Sequence, residues 1–280
     1  EWPAGDWERI LAERVESYRP EWLDDLCLSG QVAWGRLSVL EPVKEDDNPT
    51  ATEAGGASKT PSRRTPITLM LREDLPWLLQ AHRGATEPAQ PRTGAGRKVL
   101  ETLRTHGALF HADLRAMGGL LPIEVEEGLW DGVARGLVTA DGWAAIRSLL
   151  NARSRFVRRQ RPYSRAGARG QRPMWRHAPE GRWTLLPTAQ ACEEVEELAE
   201  TVAWQLLRRW GVVFRDVYLK ERMAVPWREV LWALRRLEAR GLIRGGHFVT
   251  GLTGEQFAEE STLPLLRARR AAGTAGSQAS

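Results

Sequence analysis

Apolar residues fall into short runs along this chain, most at helical spacing and a few alternating, separated by polar breaks rich in proline and glycine. Trp7, Ile10, Leu11 and Val15 share one face of a helix predicted over 6–17, which Pro20 ends. A second short helix over 21–28 stops at Ser29-Gly30, and Val32, Trp34, Leu37 and Val39 then alternate as a strand over 31–40. Residues 41–66 hold too few apolar side chains to pack, and predict a disordered insert before a further strand over 67–72. Leu75-Pro76-Trp77-Leu78-Leu79 leads out of this region, and 84–96 reads as a flexible linker.

The rest of the chain contains one pattern twice. The first copy reads His106-Gly107-Ala108-Leu109-Phe110, then Pro122, Leu129-Trp130 and Ala134-Arg135-Gly136-Leu137-Val138. The second reads Trp210-Gly211-Val212-Val213-Phe214, then Pro226, Leu231-Trp232 and Ala239-Arg240-Gly241-Leu242-Ile243. Glycine and proline keep a constant offset, and one inserted residue accounts for the shift at Ala-Arg-Gly. Helices are predicted over 97–105 and 122–134 in the first copy, with Asp113 near the start of a helix between them, and over 191–209 and 226–240 in the second. Each copy closes on a hairpin signal, Asp141-Gly142 in a hairpin over 137–146 and Gly245-Gly246 in one over 242–249.

Helix, turn, helix and a two-stranded ribbon is the order of a winged helix. The predicted architecture is therefore mainly α with small β-hairpins, an α+β chain of tandem winged-helix domains. Residues 1–83 form a degenerate copy whose wing carries the disordered insert 41–66, and 84–96 the linker. A winged helix follows over 97–150, then an Arg-rich flexible connector over 151–181 and a second winged helix over 182–257. Residues 258–280 make a short basic helix over 262–271 and a disordered tail.

Charge sharpens this picture. The net charge of +4 conceals a basic segment, since 151–182 holds ten arginines and one acid, and the remainder carries 30 basic and 35 acidic residues, a net of −5. Local basicity favours a nucleic-acid-binding segment, with Arg158, Arg159, Arg161 and the stacking candidate Trp175 as its contacts. The competing explanation is compositional, because 36 arginines against four lysines is what a GC-rich genome produces without selection for binding. The other tryptophans, of 13 in all, fall mostly at apolar positions and read as core.

The third helix of a winged helix must not repel phosphate if it enters a groove. In the first copy its exposed face carries Glu124, Glu126, Glu127 and Asp131, which suits packing against a neighbouring domain. In the second it carries Arg228, Arg235, Arg236 and Arg240, with Arg244 and His247 on the wing, and Val230, Leu231, Leu234 and Leu237 as the buried stripe. That set suits salt-sensitive, weakly sequence-specific binding. The alternative is a solvated face paired with Glu229 and Glu238.

Catalytic signals are weak. Neither Gly55-Gly56-Ala57-Ser58-Lys59-Thr60 nor Gly94-Ala95-Gly96-Arg97-Lys98 has nucleotide-loop spacing, Asp24-Asp25 lacks a helicase-like context, and His106 and His111 lack partners for zinc. Cys27 and Cys192 read as reduced, buried thiols of a cytoplasmic protein, and no run of residues is apolar enough for a membrane span. A start at Glu1 suggests a piece of something larger.

Several blocks resemble the C-terminal extension of bacterial Lhr, the large helicase-related proteins of helicase superfamily 2. They are Tyr18-Arg19-Pro20-Glu21-Trp22-Leu23-Asp24-Asp25-Leu26-Cys27-Leu28-Ser29-Gly30-Gln31-Val32-Ala33-Trp34-Gly35-Arg36-Leu37, residues 65–79, residues 129–139 and, most specifically, 237–252 with Gly254-Glu255-Gln256-Phe257-Ala258. The resemblance implies a parent helicase that unwinds DNA or RNA:DNA duplexes in DNA repair. Its ATP and Mg sites would lie upstream, leaving no cofactor in this segment. It implies as partners DNA or an RNA:DNA hybrid and the helicase core of the same polypeptide. The layout is also similar to the AlkZ type of DNA glycosylase, whose barrel is not matched here. A winged-helix transcription regulator and an oligomerisation scaffold, the latter suggested by the acidic faces, stay open as alternatives.

Overall fold

The structure is a computed structural model, described over residues 1–39, 63–150, 181–191 and 194–277, with side chains described as far as residue 269. It divides into two compact units, one of Glu1–Leu75 with Thr86–Thr188 and one of Pro76–Ala85 with Ala189–Ser280.

The first unit begins with β1 (Trp2–Pro3), a short 3-10 turn, α1 (Trp7–Arg14), α2 (Pro20–Leu28), β2 (Val32–Gly35) and β3 (Pro66–Leu71). The strands form an antiparallel sheet in the order β1-β3-β2, with Trp34 opposite Leu69. The insert thus lies between β2 and β3, as expected of a wing, although residues 40–62 themselves lie outside the described residues. The chain passes through α3 (Leu75–Arg83), which belongs to the second unit rather than to the first domain, and returns at Thr86. Nor is the end of the expected linker free. The Asp131 carboxylate accepts from the backbone of Arg92 at 3.1 Å and of Thr93 at 3.3 Å, and Thr93 caps α4 (Gly94–His106) through a hydrogen bond from Gly96 N.

Then come α5 (His111–Gly118), α6 (Pro122–Ala134), β4 (Val138–Ala140), a helix α7 over 143–150, and β5 (Trp183–Leu185). Asp141-Gly142 does not turn a hairpin. β4 pairs with β5, more than forty positions on, and Asp141 clasps Arg182 across the strand ends at 3.0 Å while α7 starts at Trp143. Leu109 bridges Trp183 through reciprocal backbone bonds of 2.9 and 2.7 Å, completing the sheet. The Arg-rich segment is therefore an insertion within this copy's wing, and the strand after it closes this copy rather than opening the next.

The two copies in this unit share a core. Trp34, from β2, is fully buried and meets Trp143 and Trp183 edge-on, at centroid distances of 6.1 and 6.0 Å. Its Nε1 donates to Gly142 O at 3.3 Å, Thr139 Oγ1 donates to its carbonyl at 2.6 Å, and the buried Arg36 donates to Ala134 O at 2.9 Å. Burying one such ring contributes about 4–6 kcal/mol by area, and each edge-on pair about 0.5–1.5 kcal/mol more. At the rim Arg147 of α7 bridges Glu8 of α1 at 3.1 Å and Asp24 of α2.

The second unit holds α3 with α8 (Val195–Trp210), β6 (Val212–Val213), α9 (Arg215–Lys220), α10 (Trp227–Ala239), β7 (Ile243–Gly246), β8 (Gln256–Glu259) and α11 (Thr262–Ser277). Its sheet runs β6-β8-β7, the order already seen twice in the first unit. Gly245-Gly246 lies inside β7 instead of at the turn, and the wing loop spans 247–255. A Cβ at 245 would stand 2.6 Å from Glu238 Oε1, the movable end of a side chain that accepts from Gly245 N. The fully buried Gln256 closes the loop by accepting from Phe248 N and Val249 N, both at 2.8 Å, and donating to Val249 O. α11 runs past Gly273 to Ser277, further than its composition suggested.

Equivalent elements fix the repeat register. Gly30, Gly136 and Gly241 each take a positive φ after α2, α6 and α10, and a strand begins two residues later. The inserted residue of the last copy precedes α10, since Leu121 and Pro226 are the matching N-caps. Val125 and Leu129 then match Val230 and Leu234, all buried, so the shared Leu-Trp pair is out of register and Trp232 is equivalent in the repeat to Glu127.

Trp34→Ala should lower the stability of the first unit by about 3–5 kcal/mol. Amide exchange checks the shared core: α2 and α6 should lose protection together, whereas an unaltered α6 would show that the two copies fold separately.

Candidate nucleic-acid interface

Helix α10 forms because Val230, Ala233, Leu234 and Leu237 fall on one stripe, all fully buried, with α8 packed against them. The opposite stripe, at i, i+4, i+7 and i+11, is Arg228, Trp232, Arg235 and Ala239, all exposed. Leu231, expected in the buried stripe, is half-buried at its edge.

The six residues singled out from the sequence do not share one face. Arg228 and Arg235 flank Trp232 on the open stripe. Arg236 and Arg240 turn toward α8, where Arg236 donates to Glu196 O at 3.4 Å and Arg240 pairs with Glu200 at 2.7 Å. Arg236 also lines a cleft of about 370 Å³ with Glu196, Glu197 and Glu200, a flank whose acids oppose phosphate. On the wing, Arg244 sits opposite Glu260 at 3.4 Å, and His247 is exposed at the start of the loop. Arg158, Arg159, Arg161 and Trp175 lie outside the described residues.

The open-stripe arginines have acidic partners too. Arg228 pairs with Glu229 at 3.1 Å, and Arg235 grips Glu255 of the wing loop through hydrogen bonds of 2.9–3.1 Å. Glu238, the other partner expected from sequence, instead accepts from Gly245 N at 3.0 Å. Exposed pairs of this kind contribute about 0–1 kcal/mol, so a phosphate can compete for the guanidinium. Beside Arg235 a cleft of about 290 Å³ opens between Arg215, Trp227, Leu231 and the loop residues Thr253 to Glu255.

Trp232 was missed by sequence reasoning. Its side chain is 46% exposed, and the Arg228 guanidinium lies 5.0 Å from its ring centroid. The signal was present in the helical spacing, four residues from Arg228 and three from Arg235.

The corresponding helix of the middle copy is closed off. Asp131, expected on an exposed face, is buried, with Arg135 at 2.6 Å and the chain before α4 held on its other oxygen. Glu124 caps its own helix through Leu121 N at 2.7 Å, Glu126 is half-buried, and Glu127 stays exposed. At Gly128 an added Cβ would stand 2.8 Å from Ala95 O and from Val99, so α4 lies directly against α6. In the first copy α2 exposes Glu21, Trp22, Asp25 and Leu26, a stripe with net negative charge.

Among the described residues no group of three or more metal-binding side chains converges, and no helix is long and apolar enough to cross a membrane. Burial pushes the Cys27 thiol up to about 11, which leaves it protonated and unreactive near neutrality.

Residues 192–278, which include α8 to α11 and therefore this whole surface, match the fourth winged-helix domain described for the large helicase-related protein. Residues 1–48, from β1 through β2, match the third. These two stretches are winged-helix domains of the large helicase-related, or Lhr, family. The chain is 29% identical over 286 residues to the "Lhr helicase/uracil glycosylase" of Escherichia coli (strain K12), covering 95% of this chain. It is 30% identical over 272 residues to the "Lhr helicase/ probable uracil glycosylase" of Mycolicibacterium smegmatis, covering 92% of this chain. It spans 17% and 16% of the lengths of these relatives, so it corresponds to a small part of each Lhr protein.

The flank and the open stripe should separate experimentally. Arg236→Ala and Arg240→Ala should cost at most about 1 kcal/mol each in urea melts. They should change duplex affinity less than Arg228→Ala or Arg235→Ala when all four are titrated by fluorescence anisotropy. A larger effect from the α8 flank would relocate the interface.

Proposed function

We propose that this chain is a non-catalytic winged-helix segment of an Lhr-type ATP-dependent helicase acting in DNA repair, and that α10 with its wing holds or guides nucleic acid. The carrying observation is that, among the described third helices, α10 alone presents a cationic open stripe. α6 is enclosed by α4 and by the chain leading into it, and α2 presents acids. The reading takes DNA or an RNA:DNA hybrid as ligand and the helicase core of the same polypeptide as intramolecular partner. ATP and Mg chemistry is assigned to that core, not to this segment, and a cytoplasmic location goes with the assignment.

The contacts would be chiefly to phosphate. Arg228 and Arg235 sit near the start and the middle of the helix, Arg244 extends the set onto β7, and the expected binding is salt-sensitive with weak sequence preference. A transcription regulator of the same fold would instead hold one operator far more tightly than random duplex.

The test is the double charge reversal Arg228→Glu with Arg235→Glu, titrated against labelled duplex and RNA:DNA hybrid over a range of salt. Affinity should fall at least roughly tenfold, as expected when two charge-assisted hydrogen bonds are removed. The slope of log K against log salt should drop by about two, at roughly 0.9 for each phosphate no longer neutralised. A folded variant with unchanged affinity and slope would remove α10 from the interface.

A further inference from the structure

We infer that the α10 surface recognises an unpaired base, with Trp232 as its stacking platform, so that its preferred ligand is a single strand or the frayed end of a duplex. This inference rests on the reading of α10 as a nucleic-acid contact and specifies its substrate class.

Four indoles are exposed among the described residues, and each has a distinct setting; Trp2 lies on the edge strand β1 of the first unit. Trp210 at the end of α8 is held at its own surface, donating from Nε1 to Glu221 at 2.7 Å. Trp22 on α2 lies beneath Arg19, at 5.5 Å, but with Glu21 and Asp25 on the exposed side of the same helix. Trp232 is different. It occupies the middle of the open stripe, one turn from each of two exposed arginines that pair with Glu229 and Glu255, and neither of these acids is hydrogen-bonded to the indole.

The chemistry of the ring decides the ligand. In an intact duplex the groove offers base edges, sugars and phosphates, while the base faces are sealed by their neighbours in the stack. An indole has one weak donor and a broad apolar face, so it gains little from edges and much from a base face. Unpairing exposes such faces. Arg228, stacked on one side of the ring at 5.0 Å, fixes its orientation, and Arg228 and Arg235 then reach the phosphates on either side of the stacked nucleotide. The cleft between Arg215, Asp216, Trp227, Leu231 and Glu255 lies beside the same stripe, and within this mostly polar lining Trp227 and Leu231 offer a displaced neighbouring base some apolar surface.

The experiment compares Trp232→Ala, Trp232→Phe and Trp22→Ala with the parent chain, using a labelled oligothymidylate and a blunt duplex at one salt concentration. Trp232→Ala should weaken oligothymidylate binding about 5- to 100-fold, the range that base–aromatic stacking spans on alanine substitution. Duplex affinity should change less than twofold, Trp232→Phe should recover most of the loss, and Trp22→Ala should behave as the parent. Unchanged oligothymidylate binding in Trp232→Ala, or an equal loss on both ligands, overturns the inference. The Arg228→Glu, Arg235→Glu variant run alongside separates the two claims. If it loses affinity while Trp232→Ala does not, the stacking platform alone fails; if neither loses affinity, the α10 interface itself fails.

Discussion

The buried contact among Trp34, Trp143 and Trp183 is the constraint from which the rest of the first unit follows. Trp34 comes from the first copy's β2, Trp143 from α7, and Trp183 from the strand that closes the middle copy's wing. Three rings on segments distant in sequence fit together only if the middle copy's sheet lies against the first copy's sheet. The indole nitrogen of Trp34 and the hydroxyl of Thr139 satisfy backbone carbonyls across that contact, so the polar groups that it buries stay paired. The strands of this wing are thereby committed to the shared core. The duplicated fold has been turned into a scaffold by the packing of its sheet.

The same division appears in the third helices. α6 has Gly128 where α4 presses on it and a buried Asp131 that anchors both Arg135 and the chain before α4. α10 keeps the apolar stripe at equivalent positions and covers its other side with Arg228, Trp232 and Arg235. Conserving the buried stripe conserves the fold. What differs is the opposite face, and its charge and exposure separate a packing helix from the one proposed as a contact helix. The ion pair between Arg235 and Glu255 adds a further element, because it ties the contact helix to the wing loop that Gln256 closes.

Local structure was legible in the sequence, and pairing was not. The helices follow from apolar spacing, and the glycine ends of α2, α6 and α10 follow from a conformation that other residues adopt at a cost. The wings differ from expectation because a hairpin signal is local while a strand partner need not be. Asp141-Gly142 suggested a tight turn, yet β4 finds its partner beyond α7 and the Arg-rich insertion. Gly245-Gly246 likewise suggested a turn, yet both residues pair with β8 inside β7. Asp131 read as exposed because a carboxylate usually is, and only its three partners in the folded chain stabilise it inside. Of the candidate site, the sequence marks the arginines as candidates but not how they divide between two faces. Helical spacing alone does not reveal that Arg236 and Arg240 turn toward the acids of α8, and residue type alone sets Trp232 among the core indoles.

Amide hydrogen exchange with and without bound duplex tests the division between scaffold and contact surface most directly, since it reads every helix in one experiment. Exchange should slow in α10 and along the wing from β7 to β8 when nucleic acid is added, with α6 and α2 unchanged. Slowing at α6, with α10 unaffected, would contradict this division.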